Sequence, residues 1–368
     1  MAERRHRRRH CDPSPGPEAG PHVLSATADE LAGLTSAAAQ AWPAFVLVSG
    51  LLLVGLVAER DGLFGAAGAW LARLPLGPHL LLTAALLLVA LVTAILNLDT
   101  SVFFLTPVLL HMARHRGLDE EPFLYGAVFM SNAASLFLPG SNLTNLIVLH
   151  HERVSGAAFL AHMWPAATAS VVVTILFLLV VFHRALMADV TEPQDPPPAR
   201  LGVGVVAIAA STLLVLALAN PALPVLAVGA VAVALERLPL ERVLRTVDPR
   251  VIGGLFVLAV AVGTIGHHLE VTLSGQVESA VAGTVSAVAI NNLPAAMLLA
   301  AKPPEHAHAL LIGLNLGPNL AVTGSLSAFL WLRVARTLDA RPSARRYSAL
   351  GLVLVPLSLA AALLALNL

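Results

Sequence analysis

The sequence predicts an all-α polytopic membrane protein made of two inverted repeats, each with a re-entrant hairpin and a broken transmembrane helix. Three observations predict it. The chain is 57% hydrophobic and 12% charged, against about 25% charged in an average soluble domain. Its charges lie in short clusters between apolar runs, many of them near the ~20 residues that cross a bilayer. The polar interruptions of those runs fall at corresponding places in the two halves.

Taken in order, residues 1 to 41 read as a polar, disordered tail opening with Arg4, Arg5, Arg7, Arg8 and Arg9. Residues 42 to 188 form the first membrane repeat. It starts with a span from Trp42 to Ala58 and a short amphipathic segment, Leu63 to Leu74, suited to the interface. His79 to Met112 is too long for one span and too interrupted for two, so a hairpin turning at Asn97 to Ser101 is expected. Phe123 to Leu149 is apolar but broken at Pro139 to Asn145, and His162 to Phe182 is a span. Residues 189 to 200, rich in proline and acid, read as a linker. Residues 201 to 250 supply two scaffold spans and an arginine-rich loop from Glu236 to Arg250.

Residues 251 to 368 repeat the first order. Val251 to Gly266 is a span, Leu273 to Ala301 a hairpin interrupted at Asn291 to Pro294, and Ala309 to Trp331 a second broken helix. Tyr347 to Leu366 closes the chain. Aligning Asn132–Leu149 with Asn315–Leu332 needs no gap and sets Asn142 opposite Ser325.

Unpaired backbone groups cost several kcal/mol each in hydrocarbon, so breaks persist only where protein or a wet cavity satisfies them. Paired breaks in two halves are the pattern of a transport site near the membrane midplane. Asp99 is the one acid at a first-half break. A charge at that depth costs roughly 3 kcal/mol or more, which marks it as functional, for a proton or a cation; the structural alternative is an acid capping the half-helix from Thr100. Ser141-Asn142-Leu143-Thr144-Asn145 and Thr323-Gly324-Ser325-Leu326-Ser327 offer neutral donors and acceptors beside half-helix amino ends. Small polar residues also serve helix-helix hydrogen bonds, but two clusters in matching positions favour a binding site.

Other features carry less. His150-His151-Glu152 and His267-His268 with Glu270 read as interfacial loops, and Trp42, Trp70, Trp164 and Trp331 as interface anchors near span ends. A net charge of zero gives no case for nucleic acid, and the lone Cys11 excludes a disulfide within one chain and a thiolate site within the membrane. A membrane-embedded enzyme would need an activated nucleophile or a metal cluster at the breaks, where all but Asp99 are neutral amides and hydroxyls. No metal or cofactor is expected.

Of 22 Lys and Arg residues, five lie in the tail, fifteen in one set of loops from Arg60 to Arg346, and only Arg153 and Lys302 in the opposite set. The positive-inside rule places the larger set in the cytoplasm of a multi-pass cell-membrane protein. It leaves the basic tail on the outer face, a conflict within the same rule.

The residues now in view resemble a family. Asn291-Asn292-Leu293-Pro294, followed by Asn315 to Leu332 (NLGPNLAVTGSLSAFLWL), is similar to the second signature region of the arsenite/antimonite efflux pump family. Leu105-Thr106-Pro107 after Asn97-x-Asp99-Thr100, with Ser141 to Asn145 (SNLTN), is similar to its first. That family belongs to an ion transporter superfamily that includes sodium-coupled dicarboxylate and citrate carriers and sodium/proton antiporters. The resemblance implies hairpin tips at Asn97, Asp99 and Thr100 and at Asn291, Asn292 and Pro294. It implies broken-helix loops at Ser141, Asn142, Thr144 and Asn145 and at Thr323, Gly324, Ser325 and Ser327, with Asn315 beside the second. It also implies elevator-like motion and an H+-coupled antiporter that confers arsenic resistance by carrying arsenite or antimonite out of the cell. The alternative within the superfamily is a carrier of a carboxylate or another inorganic ion coupled to Na+ or H+. An ATPase subunit is the implied partner of an arsenite pump. The amino-terminal spans usual before the first repeat are replaced by the polar tail, from which a minimal scaffold or a homodimer is expected. The chain departs from the pumps where they typically carry an acid and a lysine around Leu-Gly-Pro; here stand Asn315 and Asn319.

Overall fold

The computed structural model describes residues 21–152, 154–187, 202–269 and 271–368, with side chains from residue 30 onward. Cys11, the tail arginines and the 189–200 linker lie outside them, as do Arg153 and Glu270. Every regular element among the described residues is helical.

Helix α1 runs Pro21–Arg60 through Pro43. The span therefore does not begin at Trp42 as its polarity suggests, and residues 30 to 41 are not tail but helix. Two causes are physical. Ser36 to Gln40 is mostly alanine, the best helix former, and Ala37, Gln40 and Ala41 are buried against the rest of the protein. α2 (Leu63–Arg73) is the expected short amphipathic element, with Trp70 60% exposed.

α3 (Pro78–Ile95) and α4 (Leu98–His115) are separated only by Leu96 and Asn97. Asn97 adopts an extended conformation and its Oδ1 accepts from Thr100 N at 2.7 Å, which starts α4 afresh. With 18 residues α3 alone is long and apolar enough to cross a bilayer. α5 (Glu121–Ala134) ends before a 3₁₀ turn at Pro139–Ser141, after which α6 (Leu143–Val148) begins at its cap Asn142. α7 (Gly156–Val181) is continuous.

α8 (Val203–Ala217) and α9 (Ala222–Leu235) pack on α1. Gly50 and Gly229 let α1 and α9 touch at backbone distance: a methyl on either would overlap the main chain of the other helix. Asp61 reaches across to accept from Gly204 N at 2.7 Å, capping α8 from outside. The expected arginine-rich loop holds a helix, α10 (Leu240–Val247). Leu240, Val243, Leu244 and Val247 recur at helical spacing there, and Asp248, at φ 39°, turns the chain into α11 (Pro249–His267).

α12 (Gln276–Ile290) and α13 (Asn292–Leu299) meet at the single residue Asn291. Its φ of 76° with ψ 148° lies in a region that suits glycine, a strain of about 1–3 kcal/mol that surrounding structure must hold. α14 (Ala307–Leu316) stops at two 3₁₀ turns, Gly317–Leu320 and Val322–Gly324, before α15 (Leu326–Thr337). α16 (Ala344–Leu366) crosses that break at Gly351, where a methyl would overlap Asn319 O.

Trp331 is not an interface anchor. It is fully buried in α15, its Nε1 donates to Leu124 O at 2.7 Å, and its ring lies 5.5 Å from both Tyr125 and Tyr347. Tyr347 in turn donates to Pro318 O at 3.0 Å. This aromatic group joins α5, α15, α16 and the second break, and a buried indole that finds a carbonyl has no reason to sit at the interface.

Candidate functional site

One cavity of about 280 Å³ lies where the four breaks meet. It is lined by Leu98 and Asp99 of α4, Asn142 to Thr144 of α6, Asn291 to Leu293 at the start of α13, and Val322 to Phe329 around the start of α15, with Leu255 of α11. The amino ends of four helices thus face one space. Asn142, Asn291 and Ser325 cap three of them, accepting from Thr144 N at 3.2 Å, Leu293 N at 3.3 Å and Ala328 N at 3.2 Å. Asn97 caps the fourth from just outside the lining.

Asn142 and Ser325, paired by the gapless alignment, hold nearly the same backbone geometry: φ −149°, ψ 140° and φ −148°, ψ 155°. Each side chain caps one amide at the restart of a broken helix, and the other orphan amides there leave partial positive charge on the cavity. Asp99 is 8% exposed and has no cationic partner among the described residues. Among the described residues no lysine, arginine or histidine lines the cavity. Thr144 lies against it, its hydroxyl buried and without a hydrogen bond among the described residues, and Ser325 and Ser327 share one at 3.0 Å. Thr323 and Phe329 stand at the open edge.

The remaining sequence-predicted residues lie beside the cavity. Thr100 packs its methyl toward Gly55 of α1. Ser141 donates to Ala94 O at 3.1 Å, fastening the first broken loop to α3. Pro294 and Gly324 are buried without lining it. Asn145 donates to Ser135 O and Leu138 O at 2.7 and 3.2 Å, across its own loop.

Asn315, too, is absent from the lining and is a hub instead. Its Nδ2 donates to Leu311 O and to Asn145 Oδ1, both at 2.8 Å, while its Oδ1 accepts from Ser135 Oγ at 2.6 Å and Asn142 Nδ2 at 2.5 Å. Asn132 Nδ2 donates to Asn319 Oδ1 at 2.7 Å alongside. Both asparagines that replace the expected acid and lysine therefore join the first broken helix to the second. The polarity pattern marks Asn132 and Asn319 without giving them, or Ser135, this part. It missed Gln40 altogether, though continuing the buried stripe of Ala44, Leu47 and Leu51 back by helical spacing reaches Gln40.

A chain that is all-helical among the described residues, with long apolar helices and a cavity at paired helix breaks, is a multi-pass membrane transporter, and comparison with known proteins agrees. Residues 23–331 match the citrate transporter family (CitMHS), and the chain belongs to that family. It is 25% identical over 339 residues to the arsenical pump membrane protein of Escherichia coli, covering 80% of this chain and 78% of that protein. The arsenical pump membrane protein of Yersinia enterocolitica is 27% identical over 337 residues, with the same coverage. Among solved structures, the YdaH transporter of Alcanivorax borkumensis superposes with a TM-score of 0.62 at 14% identity. That match covers 95% of this chain and 89% of the other, a likeness of fold alone.

Proposed function

We propose that the chain is a secondary active transporter that moves arsenite or antimonite out of the cell in exchange for protons, with Asp99 as the proton carrier. The observation that carries this reading is the cavity itself, which among the described residues has four helix amino ends, one acid and no basic side chain. Arsenite is mainly a neutral trihydroxide near pH 7, and amides and hydroxyls bind such a solute without a buried cation. The likeness to arsenical pumps supports the same choice. A carboxylate reading, coupled to protons or sodium, is favoured by the partial positive charge of the helix ends and by the family's description.

In this reading the α3–α4 and α12–α13 hairpins and the two broken helices form inverted repeats around the cavity. Growth of a pump-deleted bacterial host on arsenite tests the substrate: expression should restore resistance. No protection, together with accumulation of labelled citrate, would replace arsenite by a carboxylate. The arginine-bearing ends of α1, α4, α9 and α15 are placed in the cytoplasm, following the positive-inside rule. Ser343→Cys should then react with an impermeant maleimide only in opened cells, whereas Ser155→Cys reacts in intact ones. A homodimer would supply scaffold surface, and an ATPase subunit is the partner that an arsenite pump would recruit.

A further inference from the structure

We infer that Gln40, on α1, is a positioning residue for the cavity, yoking together the two short helices whose amino ends face the solute. The inference rests on the reading of that cavity as the transport site. Gln40 is 2% exposed. Its Nε2 donates to Ile147 O in the last turn of α6 at 3.1 Å and to Ala300 O at the end of α13 at 2.6 Å. Both acceptors are main-chain carbonyls, which accept only, so the nitrogen end of the amide must face them. The carbonyl end, Oε1, is left buried without a donor. A buried acceptor without a partner is unfavourable; the glutamine is explained by its two donated bonds, not by a fully satisfied site.

Those bonds hold the two helices at matching ends. α6 has six residues and α13 eight, so each is a rod of roughly 9–12 Å. The front of each is an asparagine cap on the cavity, Asn142 and Asn291. The back of each is Gln40. α6 and α13 also pack on one another, and one comes from each half of the chain. A single amide on a third helix therefore fixes the spacing and tilt of two of the four amino ends that meet the solute. With rods this short, a shift at the rear carries to the cavity almost undiminished.

Gln40→Met keeps the length and apolar bulk of the side chain and deletes both donors. It should raise the KM for arsenite, or for citrate if the parent protein carries that, roughly tenfold with kcat within about twofold, the pattern of lost binding geometry. In purified protein, hydrogen exchange should quicken in both 143–149 and 292–300, and not in α7. Unchanged exchange in either segment overturns the yoke. Ser325→Ala, measured alongside, separates the two readings. If its KM changes and that of Gln40→Met does not, Gln40 alone loses its role. If the KM of Ser325→Ala is also unchanged, the cavity is not the solute's site and both readings fall.

Discussion

Asp99→Asn is expected to reduce proton-driven transport by about two orders of magnitude, while the purified protein keeps its helix content and melting temperature. The scale is that of losing a positioned side chain that takes up and gives back a proton, about 10²-fold or more. The carboxylate lies in the first turn of α4, on the cavity, with no ion pair to lose among the described residues. Asparagine matches its size and can still meet the helix amino end, so packing is preserved. What it cannot do is bind and release a proton. Were Asp99 only a favourable charge at a helix start, the substitution would cost no more than about 1 kcal/mol and transport would continue. Everted vesicles given a pH gradient distinguish these outcomes, and full activity would remove Asp99 from the mechanism.

Asn315→Asp should be the most damaging single-atom change near the site, lowering stability by about 2–4 kcal/mol. Leu311 O can only accept, so Asn315 must present its nitrogen to it and to Asn145 Oδ1. Its oxygen then faces the donors Ser135 Oγ and Asn142 Nδ2. Aspartate supplies oxygens on both sides and sets a buried acceptor against two others. Thermal unfolding in detergent should show the loss, and a melting temperature equal to the parent's would mean that the amide is not oriented this way. Because Asn142 receives its orientation from Asn315, solute affinity should fall with stability.

The helix breaks were legible in the sequence because hydrocarbon tolerates a polar interruption only where something answers it, and Asn97, Asn142, Asn291 and Ser325 each begin a new helix where the polarity pattern placed an interruption. What local sequence could not say is which way each amide turns. Asn142 and Asn145 stand three residues apart in one motif, yet the first caps a helix on the cavity and the second, one turn in, points back across its own loop. The Asn132–Asn319 bond joins residues 187 apart, and nothing near either position announces the other. Polarity misplaced the start of α1 because Glu30, Thr35, Ser36 and Gln40 read as tail, while the alanines among them strongly favour helix. Trp331 was misjudged for a related reason: closeness to a span end fits an anchor, but the carbonyl that holds its indole comes from a residue 207 positions away.

Trp331 also gives the molecule a built-in light source. Of its four tryptophans, Trp42, Trp70 and Trp164 are 38%, 60% and 55% exposed, while Trp331 is shielded on every side. A soluble or lipid-borne quencher therefore dims three and spares the fourth. The surviving emission comes from α15, six residues beyond Ser325, so events at the cavity can be followed by fluorescence with no label attached.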